Sequence, residues 1–104
     1  MRMWNVDTGK MCTRHLLGEH VEMHMFVGAL NKNKSVKGYV DTGLVETHNI
    51  EKRHGEIVKE FKKRGFNHKS PLLRYKTKVM GKVDAENNLK ELARRCKECR
   101  RRIK

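Results

Sequence analysis

The first apolar-rich segment of the chain predicts a helix from about Thr13 to Asn31. Thr13 is expected to be the N-cap, and Gly28 is a tolerated interruption near the end of the helix. Steps of three and four residues then divide the helix into two faces. The predicted core stripe is Leu17, Val21, Met25 and Ala29, and the predicted functional face is His15, Glu19, Glu22 and Phe26.

Two further helices are predicted, separated by long polar segments. The second runs from Val45 or Thr47 to Arg64, and Gly65 supplies its C-terminal stop. The third begins after Asp84 as N-cap and runs toward Ile103. Its predicted core stripe, with spacings of three and four, is Leu89, Leu92, Cys96, Cys99 and Ile103. We therefore predict an all-α fold of about three helices with long connecting loops, and an N-terminal segment packed across the helical body.

The size of the chain predicts one domain, residues 1–104, with a modest core. No apolar run approaches the roughly 18 residues of a membrane span, and the start lacks a signal-peptide pattern. Three cysteines are an odd number, which argues against a closed disulfide framework and for a reducing compartment. We expect a cytoplasmic monomer.

Charge then narrows the choice of partner. The formal net charge is +13, and residues 53–104 hold eighteen Lys or Arg against six Asp or Glu. Residues 1–52 hold seven against six. A basic surface confined to one part of a chain is typical of a polyanion partner, most often nucleic acid. The alternative is a highly charged, solvated surface without a specific partner.

Two patterns resemble metal-binding motifs but are expected to serve packing. Cys96 and Cys99 have Cys-x-x-Cys spacing, but the sequence holds no second Cys-x-x-Cys pair, and both residues lie on the predicted apolar stripe. We expect them to pack in the core as small apolar side chains, and we expect the same of Cys12. His20 and His24 are four residues apart, but no glutamate directly follows the first histidine, as the zinc-protease signature requires. We therefore expect no metal.

Glu22 leaves two interpretations open from its chemistry alone. A lone carboxylate on a half-buried helix is commonly a salt-bridge partner, here for Arg2 or Arg14. As a catalytic group it would stabilise a developing cation or transfer a proton.

Three stretches together resemble the pyrimidine dimer DNA glycosylase family, of the phage endonuclease V type. They are His15-Leu-Leu-Gly-Glu-His-Val-Glu22, Phe26-Val-Gly-Ala-Leu30 and Ile57-Val-Lys-Glu-Phe-Lys-Lys-Arg-Gly-Phe-Asn67. The resemblance covers residues 1–70. It implies an all-α enzyme that cleaves the glycosidic bond of a cyclobutane pyrimidine dimer in double-stranded DNA and then nicks the strand as an abasic-site lyase, without a cofactor.

The resemblance also implies the site. It places the nucleophilic α-amine on Met1 and the catalytic glutamate on Glu22, while Arg2 and His15 fall on positions that contact DNA and the site. Arg2 is also a large second residue, which predicts that Met1 is retained. An α-amine is suited to this chemistry because its ordinary pKa is about 7.7–8.0, against about 10.4 for lysine.

Further DNA contacts are expected from polar and basic residues of the two first helices and their loops: Arg14, Lys32, Lys34, Arg64, Asn67 and Lys69. The chain departs from the phage members at Val21 and Met25, where they carry arginines. It also ends in the basic stretch Arg94 to Lys104, where they have an aromatic-rich tail.

Three alternatives remain at this stage. One is a noncatalytic, architectural DNA-binding protein of the same fold, and another is a glycosylase for a different damaged base. The third, from a separate class, is a metalloprotein that uses His20, His24 and nearby acids.

Overall fold

Five α-helices form the regular structure of the protein in a computed structural model, which describes residues 1–68 and 70–103. They are α1 (Thr13–Asn31), α2 (Lys37–Asp41), α3 (Ile50–Lys63), α4 (Ala85–Arg95) and α5 (Lys97–Ile103). Single 3-10 turns, Thr8–Lys10 and Thr47–Asn49, precede α1 and α3. These described residues contain no strand, which confirms the all-α prediction, and none of their helices is long and apolar enough to cross a membrane.

The ends of the first two predicted helices agree with the structure apart from one cap and one start. Helix α3 begins at Ile50, after the 3-10 turn Thr47–Asn49, and not at Val45 or Thr47. Helix α1 has the predicted span, but its N-cap is Cys12, whose Sγ accepts a hydrogen bond from the backbone N–H of His15 at 3.5 Å. Gly65 follows α3 with a φ of 82°, a left-handed conformation that glycine adopts without strain.

The predicted third helix is wrong in one respect, because it is broken into α4 and α5. Cys96 has an extended backbone, with φ −126° and ψ 116°, and ends α4. The side chain of Arg100 then donates hydrogen bonds to the carbonyls of Ala93 and Arg94 in the last turn of α4. With α2, which forms where we expected irregular structure, this break changes the count from about three helices to five.

The side of α1 that faces the core also differs from the prediction. The buried residues are Leu16, Glu19, Met23, Phe26 and Val27. Leu17, Val21 and Met25 are exposed instead, at 47%, 55% and 51% of their surface. Apolar residues surround this helix on several sides, so the pattern alone selects no face. Glu19 determines which face of α1 is buried, because its carboxylate is buried where a cation pairs with it.

That cation is Arg53 of α3, and the pair lies at the centre of the fold. Its Nε and Nη2 donate to the two carboxylate oxygens of Glu19 at 2.6 and 2.9 Å. Nη1 donates to the carbonyl of Val6 at 2.7 Å and to the partly exposed Glu56 at 3.2 Å. One guanidinium therefore joins α1, α3 and the N-terminal segment.

The N-terminal segment packs across the helices, as predicted. Met3, Trp4, Val6 and Met11 are buried in the core. The backbone N–H of Met3 donates to the carbonyl of Leu44 at 2.7 Å, and the side-chain amide of Asn88 in α4 donates to the carbonyl of Trp4 at 2.8 Å. These contacts fix the course of the chain immediately after Met1.

We predict that Glu19→Gln lowers the free energy of unfolding by about 3–5 kcal/mol, because it leaves the buried charge of Arg53 without its partner. The measurement is urea denaturation followed by circular dichroism. Glu56→Gln is the matched control, since Glu56 pairs with the same arginine at the surface, where about 0–1 kcal/mol is expected. Equal effects of the two substitutions would contradict the central role of the buried pair.

Candidate active site

Glu22 lies on α1 where the N-terminal segment crosses it, and its carboxylate is half-buried. Burial raises the pKa of Glu22 above its ordinary value of 4.5, and the nearby charge of Glu19 adds to this rise. The positive Met1 amino group and the backbone N–H of Arg2 act in the opposite direction. The charge of the Met1 amino group therefore acts on the carboxylate of Glu22, in a setting that favours the neutral carboxyl group more than water does.

The side chain of Arg2 is bound to α4. Its Nη2 donates to Asn88 at 2.6 Å and to Glu91, and its guanidinium stacks 3.8 Å above the ring of Trp4. The same contact lowers the pKa of Glu91. Arg2 thus anchors the backbone next to Met1. Among the described residues, Glu22 forms no ion pair with Arg2 or Arg14, so the salt-bridge interpretation of Glu22 does not apply.

An apolar stripe borders this site on the outside of α1. Leu17, Val21 and Met25 expose about half of their surface, and the exposed Gly18 lies one turn before Glu22. Contiguous exposed apolar side chains are commonly contact surfaces.

The other predicted contact residues fall into two groups. Arg14, Lys32, Lys34 and Asn67 are exposed. Arg64 is half-buried and its guanidinium is bound by the protein, because it donates to Glu60, Thr13 and the carbonyls of Thr8 and Met11. Lys69 lies outside the described residues. The structure therefore leaves the first group accessible to a ligand and gives Arg64 a role in holding the N-terminal turn.

His15 belongs to a second group of side chains, apart from Glu22. Its Nδ1 lies 3.2 Å from Cys12 Sγ and 3.6 Å from Cys99 Sγ, and Cys96 Sγ is 3.9 Å from Cys12 Sγ. Burial and the charges of Arg14 and Arg95 lower the pKa of His15. All three cysteines are buried, as we expected, but they gather around an imidazole instead of spreading along a packed stripe.

Four histidines form a third group between α1 and α3. His20 and His24 lie on successive turns of α1, His54 on α3, and His68 in the loop after α3. Burial, followed by the charges of His24, His54 and His68, lowers the pKa of His20 to about 4. The pKa values of His24 and His54 are also lowered, mainly by burial. These three imidazoles are therefore neutral near pH 7.

A groove with a volume of about 1020 Å³ is separate from Met1 and Glu22. It lies between the end of α1, α3 and residues 71–76, and His54 and His68 line it together with Leu30, Val58, Leu72 and Tyr75. The histidine group is therefore reachable from a groove.

Sequence reasoning missed the assembly of both groups, although one signal was present. Cys12 and His15 have the same spacing as Cys96 and Cys99, so the sequence holds a second half-site that pairs a cysteine with a histidine. His54 and His68 offered no comparable signal, because they lie 14 residues apart on different elements.

Comparison with known families identifies part of the chain. The family model described as pyrimidine dimer DNA glycosylase matches residues 1–74. No curated protein and no solved structure matches the chain significantly. The matched segment contains Met1, Glu22 and helices α1 to α3, while α4 and α5 lie beyond it.

The surroundings of the Glu22 and Glu91 carboxylates predict pKa shifts in opposite directions. Glu22 is expected to titrate above pH 4.5 because of burial, and Glu91 below pH 4.5 because of Arg2. A ¹³C NMR titration of the glutamate carboxyl groups measures both. Because folding raises the pKa of Glu22, the free energy of unfolding decreases as the pH rises from 4.5 through that raised pKa. Because folding lowers the pKa of Glu91, the stability that Glu91 contributes is lost as the pH falls from 4.5 through that lowered pKa. Coincident titration of the two groups would contradict these environments.

Proposed function

The chain belongs to the pyrimidine dimer DNA glycosylase family, and from this membership we propose that it cleaves the glycosidic bond of a cyclobutane pyrimidine dimer and then nicks the strand. The observation that carries the proposal is that the charge of the Met1 amino group acts on the Glu22 carboxylate. A nucleophilic amine beside a carboxylate is the pair of groups that a glycosylase with lyase activity needs.

The first step replaces the bond between base and sugar. The neutral amine of Met1 attacks C1′ of the damaged nucleotide, the glycosidic bond breaks, and its electron pair leaves with the base nitrogen. The carboxylate of Glu22 stabilises the positive charge that develops on the sugar. Loss of the amine proton and opening of the sugar ring then give an imine between Met1 and C1′.

The second step cleaves the strand without an external oxidant or reductant. A base removes a proton from C2′ of the imine, and the 3′ phosphate leaves as the C2′–C3′ double bond forms. Glu22 is suited to this transfer, because its raised pKa brings the carboxylate closer to neutral pH as a proton acceptor. Water then hydrolyses the imine and restores the free amine.

Exposed basic residues support duplex DNA as the substrate. Arg14, Lys32 and Lys34 are exposed, and the half of the chain after residue 52 carries most of the net charge of +13. Cations of this kind neutralise phosphates, so affinity falls steeply with salt. To reach C1′ the enzyme must kink the duplex and displace a nucleotide, which costs least at a poorly stacked, damaged step.

The apolar stripe on α1 favours a second candidate, a glycosylase of the same mechanism for a different damaged base. Leu17, Val21 and Met25 are exposed beside Glu22. Apolar side chains contact unstacked bases, whereas arginines at such positions contact phosphates. The choice of lesion therefore depends on this stripe, while the chemistry depends on Met1 and Glu22.

Borohydride trapping tests the proposal on two duplexes, one with a thymine dimer and one with an abasic site. Reduction of the imine is expected to give a covalent adduct at Met1 on both duplexes. An adduct on the abasic site alone would support the second candidate, and none on either would favour a noncatalytic DNA-binding protein.

Two variants test the proposed roles of Glu22 and the Met1 amine. Glu22→Gln is expected to reduce nicking at least about 100-fold while DNA binding persists, and the exposed Glu86→Gln on α4 is the matched control. One glycine added before Met1 should also stop trapping, because it moves the amine away from Glu22. Trapping by the extended protein would point to a lysine nucleophile.

A further inference from the structure

The four side chains that meet at the start of α1 have the composition and spacing of a zinc site. One sulfur each from Cys12, Cys96 and Cys99 and Nδ1 of His15 lie within 4.8 Å of one another. Two of the ligands come from residues 12 and 15, and the other two from residues 96 and 99 on either side of the break between α4 and α5. Two pairs at this spacing are the usual frame of a structural zinc site.

The distances match the edges of a small tetrahedron. Bond lengths of about 2.3 Å for Zn–S and about 2.0–2.1 Å for Zn–N give edges of about 3.8 Å between sulfurs and about 3.6 Å between sulfur and nitrogen. Cys12 Sγ and Cys96 Sγ are 3.9 Å apart, and His15 Nδ1 lies 3.2 and 3.6 Å from the sulfurs of Cys12 and Cys99. A single ion fits between these atoms.

Backbone donors already face the sulfurs. The N–H of Cys12 lies 3.3 Å from Cys99 Sγ, that of His15 3.5 Å from Cys12 Sγ, and that of Cys99 3.5 Å from Cys96 Sγ. Such donors stabilise thiolates, the form of cysteine that binds zinc. Packing of apolar thiols does not explain an imidazole nitrogen that lies within 3.6 Å of two sulfurs.

We propose that Cys12, His15, Cys96 and Cys99 bind one Zn²⁺ ion in a structural site. Four protein ligands complete the tetrahedron, so no position is left for a substrate. The ion ties α5 to the N-cap of α1. It thereby fastens the part of the chain beyond residue 74 to the segment that the family model matches.

Metal analysis of the purified protein tests this site. Wild-type protein should contain zinc, and Cys99→Ser should lose one ion per chain, whereas Cys99→His, which keeps a ligand, should retain it. Cobalt(II) titration of the protein after zinc removal should give thiolate-to-cobalt charge-transfer absorption that Cys99→Ser lacks. Folded wild-type protein that shows no such absorption, or that holds a Cys12–Cys96 disulfide under reducing conditions, would overturn the proposal.

An independent observation carries a second metal site, in the histidine group. The Nε2 atoms of His24 and His54 are 3.2 Å apart, near the edge of about 3.3 Å that four nitrogens around one ion would have. The Nε2 atoms of His20 and His68 are buried and have no hydrogen-bond partner. The four ligand nitrogens lie within 4.8 Å of one another.

Hydrogen bonding within the group leaves this arrangement unexplained. One hydrogen bond satisfies the Nε2 atoms of His24 and His54. The Nε2 atoms of His20 and His68 remain buried without a partner, which is energetically costly. A metal ion satisfies all four nitrogens at once. We propose that His20, His24, His54 and His68 bind one divalent transition-metal ion of the kind that imidazole prefers, such as Zn²⁺ or Ni²⁺.

The number of Zn²⁺ ions retained per chain, measured after saturation with Zn²⁺ and desalting, distinguishes the two sites. Wild-type protein should retain about two ions per chain, and His68→Asn and Cys99→Ser should each retain about one. His48→Asn is the matched control, because His48 lies outside both groups, and it should retain two. Circular dichroism checks that each variant is folded, and His68→Cys restores a ligand. If folded His68→Asn binds as much Zn²⁺ and Ni²⁺ as wild type, the histidine proposal is wrong.

Discussion

The buried ion pair of Arg53 and Glu19 fixes the arrangement on which the rest of the structure depends. Its cost is offset because every charged atom finds a close partner, including the carbonyl of Val6 in the N-terminal segment. The pair sets the rotation of α1 about its axis. With Glu19 turned to the core, Glu22 lies one turn later beside the N-terminal segment, and the apolar stripe of Val21 and Met25 faces outward.

Local signals in the sequence were sufficient for most helix ends. The span of α1, the stop at Gly65 and the cap at Asp84 depend on residues only a few positions apart, and each is found where it was predicted. Which side of α1 is buried depends on Arg53, which pairs with Glu19 from 34 positions away in the sequence. The apolar pattern of α1 runs around the helix, so no local rule could select its buried side.

The candidate site shows the same division between local and distant causes. The assignment of Met1 and Glu22 to the site came from a family resemblance, and in the structure the charge of the Met1 amino group acts on Glu22. The break at Cys96 and the meeting of its sulfur with Cys12 depend on residues 84 positions apart, which spacing rules cannot pair. The resemblance placed Arg2 at DNA, and its sequence position could not reveal its contacts with Asn88 and Glu91 across the fold.

The anchoring of Arg2 on α4 links the N-terminal end of the molecule to its folding order. Contacts between residues 86 and 89 positions apart close nearly the whole chain into a loop, and contacts of such separation form slowly compared with helices. The surroundings of the Met1 amine are therefore completed late in folding. Local opening of α4 would release Arg2 while Glu19 and Arg53 still pair α1 with α3, so the N-terminal residue would be held loosely in a partly opened molecule.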